Sequence, residues 1–171
     1  MWLKRRTPLN IVIGGAAGAL PPVVAYAAAS GGVSLGILSL FAVIFFWTPP
    51  HFWALALVKS GDYARAGVPM LPNVKGGART RLEILLYSLV LAPLGLTPWL
   101  TGLGGALYAV VATVAGAAMI AMAARVYRLR EGVAANRAAM QMFGFSIIYL
   151  FTLVSLLIAE RGLATIARLI W

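Results

Sequence analysis

The sequence contains no cysteine, which excludes disulfide bridges and thiolate metal sites. Acidic residues are almost as scarce, with 4 Asp and Glu in 171 residues, and there is a single histidine. Charged residues make up 11% of the chain, against about 25% in an ordinary soluble domain. From Thr7 to Val58 there is no Asp, Glu, Lys or Arg at all. A chain so poor in charge cannot cover a water-facing surface, so a soluble fold is excluded. A secretory signal peptide is excluded too. The start is basic, but the apolar stretch behind it far exceeds the roughly 7–15 residues of a signal core.

Apolar residues fill this space, at 62% of the chain. A membrane-crossing helix needs about 20 of them in succession. Five such spans are expected, at about Leu9–Ala29, Val33–Val58, Leu82–Leu100, Gly105–Ala124 and Ala138–Ala159. The fold class is therefore all-α, a polytopic transmembrane helix bundle. A polar loop is expected from Lys59 to Arg81 and a basic loop from Arg125 to Arg137.

The net charge of +10 comes from 14 Lys and Arg. In a soluble protein such an excess suggests nucleic acid. Here it reads instead as the bias of membrane proteins toward basic cytoplasmic loops, and no nucleic-acid partner is expected. With the N-terminus in the cytoplasm, 12 of the 14 fall inside, in 1–6, 59–81 and 125–137, leaving only Arg161 and Arg168 outside. An N-in, C-out multi-pass membrane protein is the expectation.

Within the spans, Gly14 with Gly18 and Ala112 with Gly116 form small-xxx-small pairs that suit close helix packing. The prolines of Pro21–Pro22 and Pro49–Pro50 each remove a backbone donor. Either they mark simple kinks or they border a polar cavity between the first two helices.

Few residues can carry chemistry. Glu131 and Glu160 read as solvated charges, and Glu83 as an acid opening the third span. Asp62, the only aspartate, lies between Lys59 and Arg65 in Lys59-Ser60-Gly61-Asp62-Tyr63-Ala64-Arg65. A carboxylate among cations suits a magnesium–diphosphate group, the acid holding the hard cation and the bases the phosphate oxygens. The competing reading is a solvated surface ion pair. His51 follows the Trp47-Thr48-Pro49-Pro50 run and precedes Phe52-Trp53. An ionisable group inside a span is either functional or bonded to a carbonyl that the prolines free. Asn10 and Gln141 suit helix-to-helix hydrogen bonds.

Three stretches together resemble the heme O synthase (protoheme IX farnesyltransferase) branch of the UbiA-type intramembrane prenyltransferases. The first is Trp2-Leu3-Lys4-Arg5-Arg6-Thr7-Pro8 with Asn10-Ile11-Val12-Ile13-Gly14-Gly15 and Gly18-Ala19-Leu20-Pro21-Pro22. The second is Trp47-Thr48-Pro49-Pro50-His51-Phe52-Trp53-Ala54-Leu55-Ala56-Leu57, and the third Asp62-Tyr63-Ala64-Arg65-Ala66-Gly67-Val68-Pro69-Met70-Leu71-Pro72. The resemblance implies a nine-helix enzyme of which this chain is similar to the C-terminal part. The implied reaction moves a farnesyl group from farnesyl diphosphate to a vinyl group of heme B, with Mg2+ as cofactor. In that scheme Asp62 binds magnesium–diphosphate, Lys59 and Arg65 contact phosphate, and Tyr63 positions the same group. His51 faces the heme, as iron ligand or propionate partner, and Asn10 lines the cavity. Heme A synthase and terminal-oxidase assembly factors are the implied protein partners. The family's Asn-x-x-x-Asp-x-x-x-Asp motif is absent here, so the chain by itself is expected to be inactive. The rival readings are a quinone or chlorophyll prenyltransferase and a non-enzymatic, transporter-like membrane fragment.

Overall fold

The computed structural model describes Thr7 and residues 10–170, with side chains through Gly162. The basic run Lys4-Arg5-Arg6, the expected first residue of the first span, Leu9, and the side chain of Arg168 lie outside the described residues. Described residues form helices α1 (Asn10–Ser30), α2 (Leu35–Val58), α3 (Ser60–Arg65), α4 (Leu71–Leu94), α5 (Thr97–Leu100), α6 (Ala106–Arg128) and α7 (Gly132–Ile170). Five stretches are long and apolar enough to cross a membrane: Asn10–Ser30, Leu35–Val58, Leu71–Leu100, Ala106–Arg128 and Gly132–Gly162. This all-helical, five-span architecture is that of a multi-pass membrane protein.

The connections are much shorter than composition suggests. The stretch 59–81 is not a loop: it holds all of α3 and the first turns of α4. Pro72 sits in the first turn of α4, where its missing N–H costs nothing. The kink in α4 falls at Gly76, whose φ of 79° lies in the left-handed region that glycine enters freely. Likewise the basic stretch 125–137 shrinks to Leu129–Glu131, because α6 runs through Arg128 and α7 starts at Gly132. Hydropathy locates where a helix leaves the hydrocarbon. It does not locate where the backbone hydrogen bonds stop, and long arginines reach the interface from well inside a helix.

Helices α2, α4, α6 and α7 pack in a ring, α2 touching α4 and α7, and α6 closing the circle between them. Helix α1 packs on α2 from outside. The core runs along the ring's centre through Trp53, Ile84, Leu91, Tyr108, Met119, Met142 and Tyr149. Outward faces are as apolar as the core, with Phe151, Ile158 and Val114 largely exposed, as lipid requires.

Lipid gives no hydrophobic drive to bring helices together, so small residues and local polar bonds carry the packing. Gly116 of the Ala112–Gly116 pair meets α4, where an added Cβ would stand 3.2 Å from Ala92 Cβ. The Gly14–Gly18 pair does not pack: a Cβ at either meets nothing within 4 Å. The contact is made one residue along, by buried Gly15 and Ala19, with Gly15 against Thr48 of α2. Buried hydroxyls bond back to their own helix, Thr48 to Ile44 O at 2.8 Å, Thr80 to Gly76 O at 2.9 Å and Ser88 to Ile84 O at 2.8 Å. Neither proline pair ends its helix; both lie inside continuous α1 and α2.

At the end of the bundle opposite α3, Glu160 is not a solvated charge. Its carboxylate accepts from Gly105 N–H at 2.6 Å and Tyr108 N–H at 3.1 Å, capping the first turn of α6. Arg161 donates beside it to Leu103 O at 2.9 Å and to Gly102 O. An anion at a helix N-terminus meets the free N–H groups and the positive end of the dipole. Glu160→Gln is expected to lower stability by about 1 kcal/mol, read as a lower thermal midpoint in detergent.

Candidate functional site

Two clusters hold the sequence-singled residues apart from Asn10. The first stands at the junction of α2 and α3. Lys59 ends α2, Asp62 lies in the first turn of α3 and Arg65 in its last. The i,i+3 spacing puts all three on one face, with Lys59 Nζ 3.6 Å from Asp62 Oδ2 and Arg65 bonded to Oδ1. All three side chains are more than half exposed, so a ligand can reach them. Tyr63 is the next residue round α3 and half-buried. Asn73 Nδ2 donates to Ser60 O at 3.1 Å and ties α3 to the start of α4. Asn10 begins α1, half-buried, its N–H donating to Thr7 O at 3.2 Å.

His51 lies eight residues before Lys59 on α2, about 12 Å deeper along the axis. It is buried, at 7% exposure. Its ring is stacked between Trp47 and Phe143, with centroids 4.4 and 4.5 Å away, and Phe52 meets it edge-on at 5.0 Å. Its Nδ1 lies 2.7 Å from Ser146 Oγ. The partner is therefore a hydroxyl on α7, not a carbonyl freed by the prolines. Ser146 spends its one proton on Phe143 O at 2.7 Å. In the neutral ring Nδ1 must then be the donor, which leaves the lone pair on Nε2. Trp47 Nε1 donates to Ser146 O at 2.7 Å and locks the same contact from α2.

Sequence reasoning missed Ser146, Trp47 and Phe143 as the frame of His51. A serine 95 residues away inside an apolar run carries no local signal. Glu83 does not open its span: with α4 starting at Leu71 it sits mid-helix, paired with Arg79 at 2.6 Å. Gln141 does make a helix-to-helix bond, accepting from Arg125 Nη1 at 3.0 Å.

No group of three or more His, Cys, Asp or Glu converges among the described residues. A fully protein-built metal cage is thus not formed by them. One accessible carboxylate does fit Mg2+ held chiefly by a substrate's phosphate oxygens, since that ion commonly takes one or two carboxylates and completes its shell with phosphate and water.

Comparison with known proteins agrees with these features. The profile of the UbiA prenyltransferase family matches residues 1–147. A protoheme IX farnesyltransferase of Methylocella silvestris is 64% identical over 164 residues, covering 96% of this chain and 52% of that protein. Proteins of the same name from Beijerinckia indica and Methylorubrum extorquens are 63% and 65% identical, over 94% and 95% of this chain and 50% and 51% of theirs. The chain spans about half the length of the curated relatives it matches. No solved structure matches. A profile match over most of the residues, on a bundle whose one aspartate stands between two cations at a helix junction, places this chain in the UbiA prenyltransferase family.

Proposed function

We propose that this chain forms part of an enzyme that transfers a farnesyl group from farnesyl diphosphate to a vinyl group of heme B, giving heme O. The observation that carries the reading is the exposed Lys59–Asp62–Arg65 cluster at the end of α2, with His51 about two turns deeper on the same helix. Likeness to relatives named protoheme IX farnesyltransferase supplies the substrate pair. The likeness also supports a bacterial inner-membrane location. The charge bias supports a cytoplasmic N-terminus, an outer C-terminus and a cytoplasmic Asp62 cluster.

Lys59 and Arg65 bind the diphosphate oxygens, and their charge is already oriented by Asp62. Magnesium, where bound, is held by Asp62 and supplies positive charge to the diphosphate. The allylic C–O bond breaks and its electron pair leaves with the diphosphate. The vinyl π pair of heme forms the new C–C bond, and water then adds to the resulting cation and loses a proton, leaving the hydroxyl. The basic cluster stabilises the charge that develops on the leaving group. Tyr63 positions the diphosphate from the next residue of α3, and Asn10 lines the cavity from the first turn of α1. The apolar bundle excludes water until the C–C bond has formed.

His51 binds heme through Nε2. An acceptor nitrogen suits iron; a propionate, itself an acceptor, would need a donor there. Ser146 holds the ring in that tautomer, as the outer partner of a metal-ligating histidine commonly does.

The test is product formation. Membranes carrying the longer enzyme that contains this chain are supplied with heme B, farnesyl diphosphate and Mg2+, and extracted pigments are identified by mass spectrometry. Heme O is the expected product. Prenylation of a quinone precursor or chlorophyllide with no heme product would assign a different acceptor. Magnesium-independent behaviour, with no diphosphate binding, would favour the transporter-like reading.

A further inference from the structure

A second basic site lies apart from Asp62, between α4 and α6. Ala78, Arg79, Arg81, Leu82, Tyr127 and Arg130 line a cleft of about 330 Å³. Neither Asp62 nor its two cations belong to it. The three guanidinium groups are not equivalent. Arg79 is committed to Glu83 at 2.6 Å. Arg81 is half-buried and feels the opposite charge of Glu131 and, less strongly, the like charge of Arg130. Its guanidinium lies back over Gly77, where an added Cβ would stand 2.7 Å from Nη1. The missing side chain at Gly77 thus leaves room for Arg81 to reach toward the basic end of the bundle, the direction in which arginines on membrane helices extend.

Two guanidinium groups facing one cleft, with a single nearby carboxylate at Glu131, leave positive charge that an anion can join. A phosphate oxyanion suits both, because each fork can donate two parallel hydrogen bonds. The rest of the lining is not that of a soluble-phosphate site. Exposed Ala78 and half-buried Leu82 give an apolar wall on α4, and half-buried Tyr127 is the residue type that settles at the headgroup level. An apolar wall below a basic mouth matches an amphiphile, with phosphate at the mouth and acyl chains along the helices.

We infer that the cleft between α4 and α6 is a binding site for the phosphate of an anionic membrane lipid, held between Arg81 and Arg130 with Tyr127 beside them. The purified protein, in detergent stripped of native lipid, is titrated with dioleoyl phosphatidylglycerol, dioleoyl phosphatidylcholine or sodium pyrophosphate while its thermal midpoint is followed. Phosphatidylglycerol is expected to raise the midpoint saturably and phosphatidylcholine is not; any shift with pyrophosphate is expected to persist in Arg81→Gln/Arg130→Gln and to be lost in Lys59→Gln/Arg65→Gln. In Arg81→Gln/Arg130→Gln the half-saturating concentration is expected to rise about tenfold or more. Arg130→Gln alone, at an exposed position, carries the test if the double variant does not fold. Arg125→Gln/Arg128→Gln removes equal charge from the other side of α6 and should keep the response. Equal shifts with phosphatidylcholine, or equal loss in the Arg125/Arg128 variant, would overturn the site. A shift with pyrophosphate but none with phosphatidylglycerol, lost in Arg81→Gln/Arg130→Gln and kept in Lys59→Gln/Arg65→Gln, would overturn the lipid as its ligand and assign a soluble phosphate instead.

Discussion

Asp62→Ala in the longer enzyme that contains this chain is expected to lower heme O formation by at least about 100-fold, the scale on which removal of one charge-stabilising group acts on turnover. The bundle should remain folded. Asp62 is more than half exposed and its pairs with Lys59 and Arg65 bridge a single turn, an arrangement worth about 0–1 kcal/mol. The loss should therefore appear in turnover and not in the thermal midpoint. Asp62→Asn separates shape from charge. It keeps the oxygen that faces Arg65 but removes the negative charge that orients both cations and would hold magnesium. It is expected to be nearly as inactive as the alanine variant. Normal turnover in either protein would sink the assignment.

His51→Phe is expected to weaken heme binding by at least about tenfold and to abolish the absorption shift that accompanies imidazole ligation of iron. Phenylalanine keeps a flat ring between Trp47 and Phe143, so the stack survives while both ring nitrogens disappear. Ser146 retains its bond to Phe143 O, so no buried hydroxyl is stranded. Ser146→Ala probes the same idea from behind. The imidazole remains, but nothing fixes its tautomer, and heme affinity is expected to fall less than in His51→Phe. Heme affinity and spectrum unchanged in His51→Phe would make His51 a core residue held by aromatic packing.

Much of this protein is legible from residue types. The charge-free run from Thr7 to Val58 is enough for two membrane helices, and apolar length alone yields five spans. The grouping of Lys59, Asp62 and Arg65 is also legible, because an i,i+3 relation is a property of any helix and needs no tertiary partner. Other assignments needed the fold. Glu160 reads as a surface charge until α7 brings it to the first turn of α6. Gly14 and Gly18 match a packing motif, yet the face that meets α2 is set by Gly15 and Ala19. The alternation of polar and apolar residues that marks the inner face of a soluble helix is missing here, because lipid-facing and protein-facing sides are equally apolar.

The sequence by itself determined the membrane, the number of spans, the resemblance to prenyltransferases and the position of the one aspartate. The resemblance rests on three matching stretches; the others follow from composition or from relations between near neighbours. Only the tertiary structure decided which helices touch, that α2 is enclosed by α1, α4 and α7, and that Ser146 lies against His51. It also decided that Arg81 and Arg130 share one cleft. Those pairings join residues dozens of positions apart, and in lipid they depend on steric fit between small residues and on single hydrogen bonds. Neither leaves a periodic trace along the chain.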